Sequence, residues 1–236
     1  PRLEFIGVRG PLTQKALLTQ INKYVPVISD PGLLASRIYR YDPITHTILP
    51  PKTEKDKASY RWYGPKRPVG FVIHEADRKL FRQMYPELQE LIIDNHVFTN
   101  AHSFFAIFNS YERIVSSSLH GIVFAHAYGI PVYPIGVTRG IFGNNFKYKD
   151  YYHSVGHIAF EGRERIPFDI ESVGLGSVER KWLLIGKFAR LVDNYWQPDP
   201  VMIRNLQDMQ EAIIKEYLSN NELSQPISTV STQICY

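Results

Sequence analysis

Three serines and a histidine fall within positions 116–120 of the stretch VSSSLHGIVFAHAYGIPV. A short apolar run ending in RIV stops just before them, and a helix-like run starts just after. Hydroxyls at such a junction can cap the helix, while its unpaired N–H groups and its dipole attract anions. An imidazole in the first turn leans toward whatever the N-terminus binds and exchanges a proton near neutral pH. The spacing points to Ser116, Ser117 and Ser118 as anion ligands, with His120 placed to reach whatever they hold. Gly121 is expected to let the backbone come close to a partner. A plainer arrangement competes: one serine caps the helix and the others fill a tight corner. His126, two turns into the helix, is expected to be structural.

The elements that must hold this junction show as an alternation. VGFVIH, LQELIID, RIVSS and IPVYPIG take strand places, and EADRKLFRQMY, AHSFFAIFNSYE and LHGIVFAHAYG take helix places between them. Such alternation implies a parallel sheet with helices on both faces, where ligands gather outside the carboxyl ends of the strands. Upstream, LEFIGVRG and VPVIS read as strands flanking the helix PLTQKALLTQINK, whose apolar stripe is Leu17, Leu18 and Ile21, and DPGLLASRI reads as a turn into a short helix. Downstream of a glycine and aromatic loop, two amphipathic helices are expected. One places Leu184, Phe188, Leu191 and Tyr195 on one face, the other Met202, Leu206, Met209 and Ile213. These boundaries divide the chain into a partial N-terminal α/β lobe (1–50), a basic linker or loop (51–67), a C-terminal Rossmann-like lobe (68–176), C-terminal helices (177–220) and a tail (221–236).

Composition narrows the class of protein. A chain of 236 residues, 44% of them hydrophobic, can bury a full core. No apolar run approaches the roughly 20 residues needed to span a bilayer, and the first residues do not read as a signal peptide, so a soluble cytoplasmic protein is expected. Cys235 alone allows neither a disulfide nor a cysteine metal site within one chain. The net charge of +4 is too mild to argue for nucleic acid. Positions 51–67 carry six basic and two acidic residues, a balance of +4 in that segment alone. The chain opens without methionine, and residue 1 is not expected to be a natural start.

SSSLHGIVFAHAYGIPV resembles the signature of the polysaccharide pyruvyl transferase family: a strand, a serine and Leu-His-Gly turn, an alanine-rich helix, then Gly-x-Pro opening a strand. VRGPLT (8–13), SDPGLL (29–34), GFVIH (70–74) and FKYKDYYHSVG (146–156) agree with it in order. Together these pieces cover most of residues 5 to 156. Two departures stand out. Many members have arginine directly before the Leu-His pair where this chain has Ser118, as the exopolysaccharide ketal-forming branch often does. The family's N-terminal glycine-aspartate turn is also missing ahead of Pro1, which would leave the first lobe incomplete.

The resemblance implies an α/β fold of two lobes with Rossmann-like parallel sheets, similar to glycosyltransferases of the B type. It implies a cytoplasmic transferase that moves the enolpyruvyl carbon of phosphoenolpyruvate to two sugar hydroxyls, with no metal and no cofactor beyond that donor substrate. A donor with a phosphate and a carboxylate needs concentrated positive potential. Arg9, Arg139 and Lys147, all expected in strand-end or loop positions, are the candidates. His120 is the expected acid or phosphate partner. His74, at the end of the strand VGFVI, and Asp30 are the further acid or base candidates, with Asp150 as another carboxylate at the substrate. Asp30 could equally open a turn before Pro31.

The implied partners are phosphoenolpyruvate and a sugar acceptor, free or lipid-linked, and no nucleic acid. A lipid-linked acceptor would bring the protein to the inner membrane face, where Lys52, Lys55, Lys57, Arg61, Lys66 and Arg67 could meet anionic headgroups. A solvated linker is the plainer account of that stretch. Two other functions stay open: a nucleotide-sugar glycosyltransferase, since a helix-end anion site suits a diphosphate, and a noncatalytic carbohydrate-binding relative.

Overall fold

The computed structural model describes residues 5–44, 47–49, 65–93, 100–138, 145–165 and 176–220. Strands β1 (Arg40–Asp42) and β2 (Thr47–Leu49) pair antiparallel, with Tyr41 opposite Ile48. The main sheet is parallel and has the order β3 (Gly70–Val72), β4 (Ile114–Ser116), β5 (Val132–Gly136), β6 (Glu164–Arg165). Every residue of β3 and β4 is buried, which is why these strands read as continuous apolar runs instead of alternating ones.

The helices are α1 (Pro11–Ile21), α2 (Ala35–Ile38), α3 (Glu75–Met84), α4 (Ala101–Phe108), α5 (Leu119–Tyr128), α6 (Phe146–Ser154), α7 (Ser177–Asp193) and α8 (Pro200–Asn220), with 3-10 turns at Pro31–Leu34 and Pro86–Leu91. Successive strand side chains point to opposite faces, and β3 shows what covers each. Phe71 meets Phe81 of α3 and Phe188 of α7, with ring centroids 5.4 and 5.1 Å away. Val72, on the other face, lies under α5, where a Cβ built on Gly121 would stand 2.8 Å from Val72 Cβ and 2.4 Å from Ser116 Oγ. Helices thus cover both faces, as the alternation implies. The partner that Gly121 admits is the sheet itself.

Four expectations need correction. The described part of LEFIGVRG, from Phe5 on, and VPVIS do not form strands: they meet through one parallel bridge, Val8 with Val27, and Phe5 and Ile6 are exposed. LQELIID is a 3-10 turn followed by one ladder bond, from Ile93 N–H to the Phe71 carbonyl at 2.8 Å. The segment around Lys147 and Asp150 is helix α6, not loop, because Tyr148, Tyr151 and Tyr152 stand at i, i+3 and i+4 and bury one helical face.

The fourth concerns α8. Its buried residues are Ile203, Gln207 and Gln210, while Met202 is exposed. The glutamines face inward because the surface they meet is polar backbone. Gln210 Nε2 donates to the carbonyls of Ile28 and Asp30 at 2.7 and 3.0 Å, and Gln207 Nε2 to that of Leu33 at 2.7 Å. The last described helix therefore holds the segment containing Asp30. No described helix is long and apolar enough to cross a membrane.

Candidate functional site

The turn between β4 and α5 is built from its serines. Ser116 Oγ is buried, lies 2.8 Å from the carbonyl oxygens of both Val72 and Ser118, and accepts from Ser118 N–H at 3.0 Å. Ser117 N–H donates to the Val72 carbonyl at 3.1 Å, and Ser117 Oγ accepts from His74 N–H at 2.9 Å. These two hydroxyls fill the corner, so for them the plainer arrangement holds. Ser118 is the N-cap, with extended backbone, yet its side chain makes no capping bond.

The first turn of α5 is consequently open. The Tyr148 hydroxyl donates to the Ser117 carbonyl at 2.6 Å, and Arg163 Nη1 donates to the same oxygen at 3.1 Å. As first-turn groups ahead of the first helical bond, from Ile122 N–H to the Ser118 carbonyl, the N–H groups of His120 and Gly121 have no partner among the described residues. A positive helix end with two free donors is an anion site in outline.

Cations converge on it. Arg163 has a side chain only 5% exposed, its Nε donates to Asn145 Oδ1 at 3.1 Å, and its guanidinium lies 4.3 Å from the Tyr148 ring centroid. Lys147 projects from the start of α6 with its ammonium 5.3 Å from the same ring, and bonds to no carboxylate among the described residues. Burial, then the positive charges of Arg163 and Arg9, hold its pKa below the usual lysine value. Burial, and after it Lys147, also lowers the pKa of His74. That imidazole is the N-cap of α3, its Nδ1 accepting from Ala76 N–H at 3.2 Å, a bond only the unprotonated nitrogen can make.

Arg9 stands between two carboxylates, 3.8 Å from Asp30 Oδ2 and 3.8 Å from Asp150 Oδ2. Both acids have other work. Asp30 Oδ1 accepts from Gly32 N–H at 2.9 Å, capping the 3-10 turn that packs on α5, which supports the turn-opening reading of this residue. Asp150 is fully buried: Oδ1 accepts from Leu12 and Thr13 N–H at 2.9 and 3.1 Å, and Oδ2 from the Thr13 hydroxyl at 2.6 Å. It caps α1 from another helix, and its Oδ2 also lies beside Arg9. The side chain of Arg9 is 29% exposed against 9% and 0% for the two acids, so an approaching anion meets the guanidinium first.

His120 is exposed in the first turn of α5, stacks on Phe124 at 5.9 Å, and forms no hydrogen bond among the described residues. His126 is buried on Tyr151, Nδ1 to hydroxyl 2.8 Å, and burial pushes its pKa down to about 3, which matches the structural role expected for it. Arg139 lies outside the described residues, as do Lys52, Lys55, Lys57 and Arg61. Arg67 is tied into the fold, its Nη1 donating to the Tyr111 hydroxyl at 3.0 Å.

The structure thus brings Ser117, His120, His74 and, through Tyr148, Lys147 to one end of the sheet, and sets Arg9 between Asp30 and Asp150. Sequence reasoning missed Arg163 and Tyr148. Tyr148 was within reach, since it flanks Lys147 and opens an aromatic i, i+3, i+4 set. Arg163 sits in the charged run EGRER, where nothing distinguishes it from a solvated residue.

A family model described as polysaccharide pyruvyl transferase matches residues 1–139. The matched span holds Arg9, Asp30, His74 and the whole serine turn, and stops before Lys147, Asp150 and Arg163. No curated protein and no solved structure gives a match.

Proposed function

The chain belongs to the polysaccharide pyruvyl transferase family, and from that premise we propose that it transfers the enolpyruvyl group of phosphoenolpyruvate to two hydroxyls of one sugar, forming a pyruvate ketal. The sugar is part of a polysaccharide or of its lipid-linked precursor. The observation that carries this reading is the open first turn of α5, with free N–H groups at His120 and Gly121, Arg163 on the adjoining Ser117 carbonyl, and Lys147 coupled electrostatically to Arg163 and Arg9.

The reaction sets what the residues must do. The donor's methylene carbon gains a proton and becomes a methyl group. Its central carbon forms two C–O bonds to the acceptor and loses the C–O bond to phosphate. Of the two hydroxyl protons released, one balances the methyl group and the other leaves with phosphate, so no oxidant or reductant is needed. The free N–H groups and the cations bind the dianionic phosphate and stabilise it as it departs. His120, exposed beside those N–H groups, delivers or removes the proton, since an imidazole ring offers both a donor and an acceptor nitrogen. Arg9 is available for the donor carboxylate. His74 shapes the turn through its backbone bond to Ser117 and acts as a support, not as the acid. A second lobe closing over the turn, as in glycosyltransferases of the B type, belongs to the same reading, as do a cytoplasmic location and contact with the inner membrane face.

Thermal denaturation with either phosphoenolpyruvate or a nucleotide sugar tests the assignment. A ligand at a hundred times its Kd stabilises by about 2.7 kcal/mol, which for a domain of this size raises Tm by roughly 5–10 °C. Phosphoenolpyruvate should produce that rise and nucleotide sugars should not. The reverse result would make the chain a glycosyltransferase.

A further inference from the structure

We infer that Arg163 is the buried cation of the donor site and holds the phosphate of phosphoenolpyruvate, while Asp77 balances its charge when the site is empty. The inference rests on the donor assigned above and adds a residue beyond the matched span 1–139.

Arg163 is a built feature, not a surface charge. Four groups fix its guanidinium: Asn145 Oδ1 at Nε, the carbonyls of Ser117 and Ile135 at Nη1 (3.1 and 3.5 Å), and the Tyr148 ring at 4.3 Å. Asn145 keeps a left-handed backbone, φ 65°, and a Cβ on Gly162 would stand 2.6 Å from its Nδ2, so this corner is shaped around the Asn145 side chain. With the side chain 95% buried by these contacts, Nη2 still has no hydrogen bond among the described residues. Nη2 is not enclosed with the rest of the side chain, so this fixed guanidinium keeps one donor nitrogen open to an acceptor beside the helix N-terminus.

Asp77 carries the matching vacancy. Its Oδ1 accepts from the Thr138 N–H and hydroxyl at 3.1 and 2.6 Å, but Oδ2 is buried, makes no hydrogen bond, and stands 3.7 Å from Arg163 Nη1. At that distance it offsets charge without taking up the fork. A phosphate dianion suits the remaining donors better than a carboxylate, because its three terminal oxygens can accept from Nη2 and from the N–H groups of His120 and Gly121 together. Arg163 thus supplies the cation that Ser118 cannot.

The test is calorimetric titration of wild type, Arg163→Lys and Asp77→Asn with phosphoenolpyruvate and, separately, with inorganic phosphate. Lysine keeps the charge but loses the fork, and both ligands should bind at least tenfold more weakly. Asparagine keeps the acceptor for Thr138 and removes the opposing charge, so both should bind at least threefold more tightly, a direction that structural damage would not produce. No binding of either ligand by wild type overturns the donor assignment itself. Wild-type binding retained in both variants overturns only the role of Arg163. Weaker phosphoenolpyruvate binding with unchanged phosphate binding would move Arg163 to the carboxylate and overturn the phosphate assignment.

Discussion

Replacing Asp150 by asparagine separates a structural carboxylate from a substrate ligand. The side chain is fully buried and accepts three hydrogen bonds, two from the first-turn N–H groups of α1 and one from the Thr13 hydroxyl at 2.6 Å. Asparagine can keep Oδ1 on the two N–H groups, but its Nδ2 then faces Thr13 and the charge is gone. Bonds to a charged acceptor contribute about 1 kcal/mol more apiece than neutral ones, and the charge at a helix N-terminus adds roughly 0.3–1 kcal/mol. Relief of carboxylate desolvation offsets part of this loss. The expected destabilisation is about 2–3 kcal/mol, or a Tm lower by roughly 5–10 °C. Thermal unfolding of wild type, Asp150→Asn, Thr13→Val and the double variant measures it, and the cycle should show a coupling above about 0.5 kcal/mol between the two positions. An Asp150→Asn protein within about 1 °C of wild type would mean that the carboxylate does not hold α1 and would return Asp150 to the substrate.

Gly121→Ala puts a Cβ 2.4 Å from Ser116 Oγ and 2.8 Å from Val72 Cβ, an overpacking of about 1–3 kcal/mol partly offset by alanine's helix propensity of about 1 kcal/mol. Chemical denaturation should show a net loss of about 1 kcal/mol or more, and an alanine variant as stable as wild type would show that α5 does not seat on the sheet through this glycine. His126 gives a pH signature. Its folded pKa of about 3 lies below the unfolded value of about 6.5, so the unfolded chain binds more protons below pH 6.5 and stability falls with acid. Between pH 7 and 5.5 the loss from this group is about 1 kcal/mol, and urea unfolding of His126→Gln should lack that part of the wild-type decline. Identical declines would place His126 outside the buried cluster.

The main sheet was legible because its strands are buried on both faces and its helices alternate with them, as in VGFVIH, RIVSS and IPVYPIG. The serine turn was legible as a junction, but which serines face inward was not, since that depends on bonds to Val72 and His74, 44 and 43 positions away. Helix α8 misled for a related reason. Gln207 and Gln210 are buried because backbone carbonyls from residues 28–33 meet them, and hydrophobic periodicity has no sign for a polar partner. LEFIGVRG carried the composition of a strand, but burial of Val8 alone leaves Phe5 and Ile6 without the packing that would order one. Arg163 lay beyond reading, because nothing local tells a guanidinium folded onto Ser117 from one in water.

The central claim is that the donor is phosphoenolpyruvate and that His120 moves its proton. Its most direct test is transfer from carbon-labelled phosphoenolpyruvate to sugar acceptors bearing a free diol, with phosphate release followed in parallel. The account predicts label in an acid-labile ketal, one phosphate released for each label transferred, and neither product with a folded His120→Ala protein. Transfer at the wild-type rate by His120→Ala would remove the histidine from the mechanism, and phosphate release without ketal formation would contradict the reaction itself.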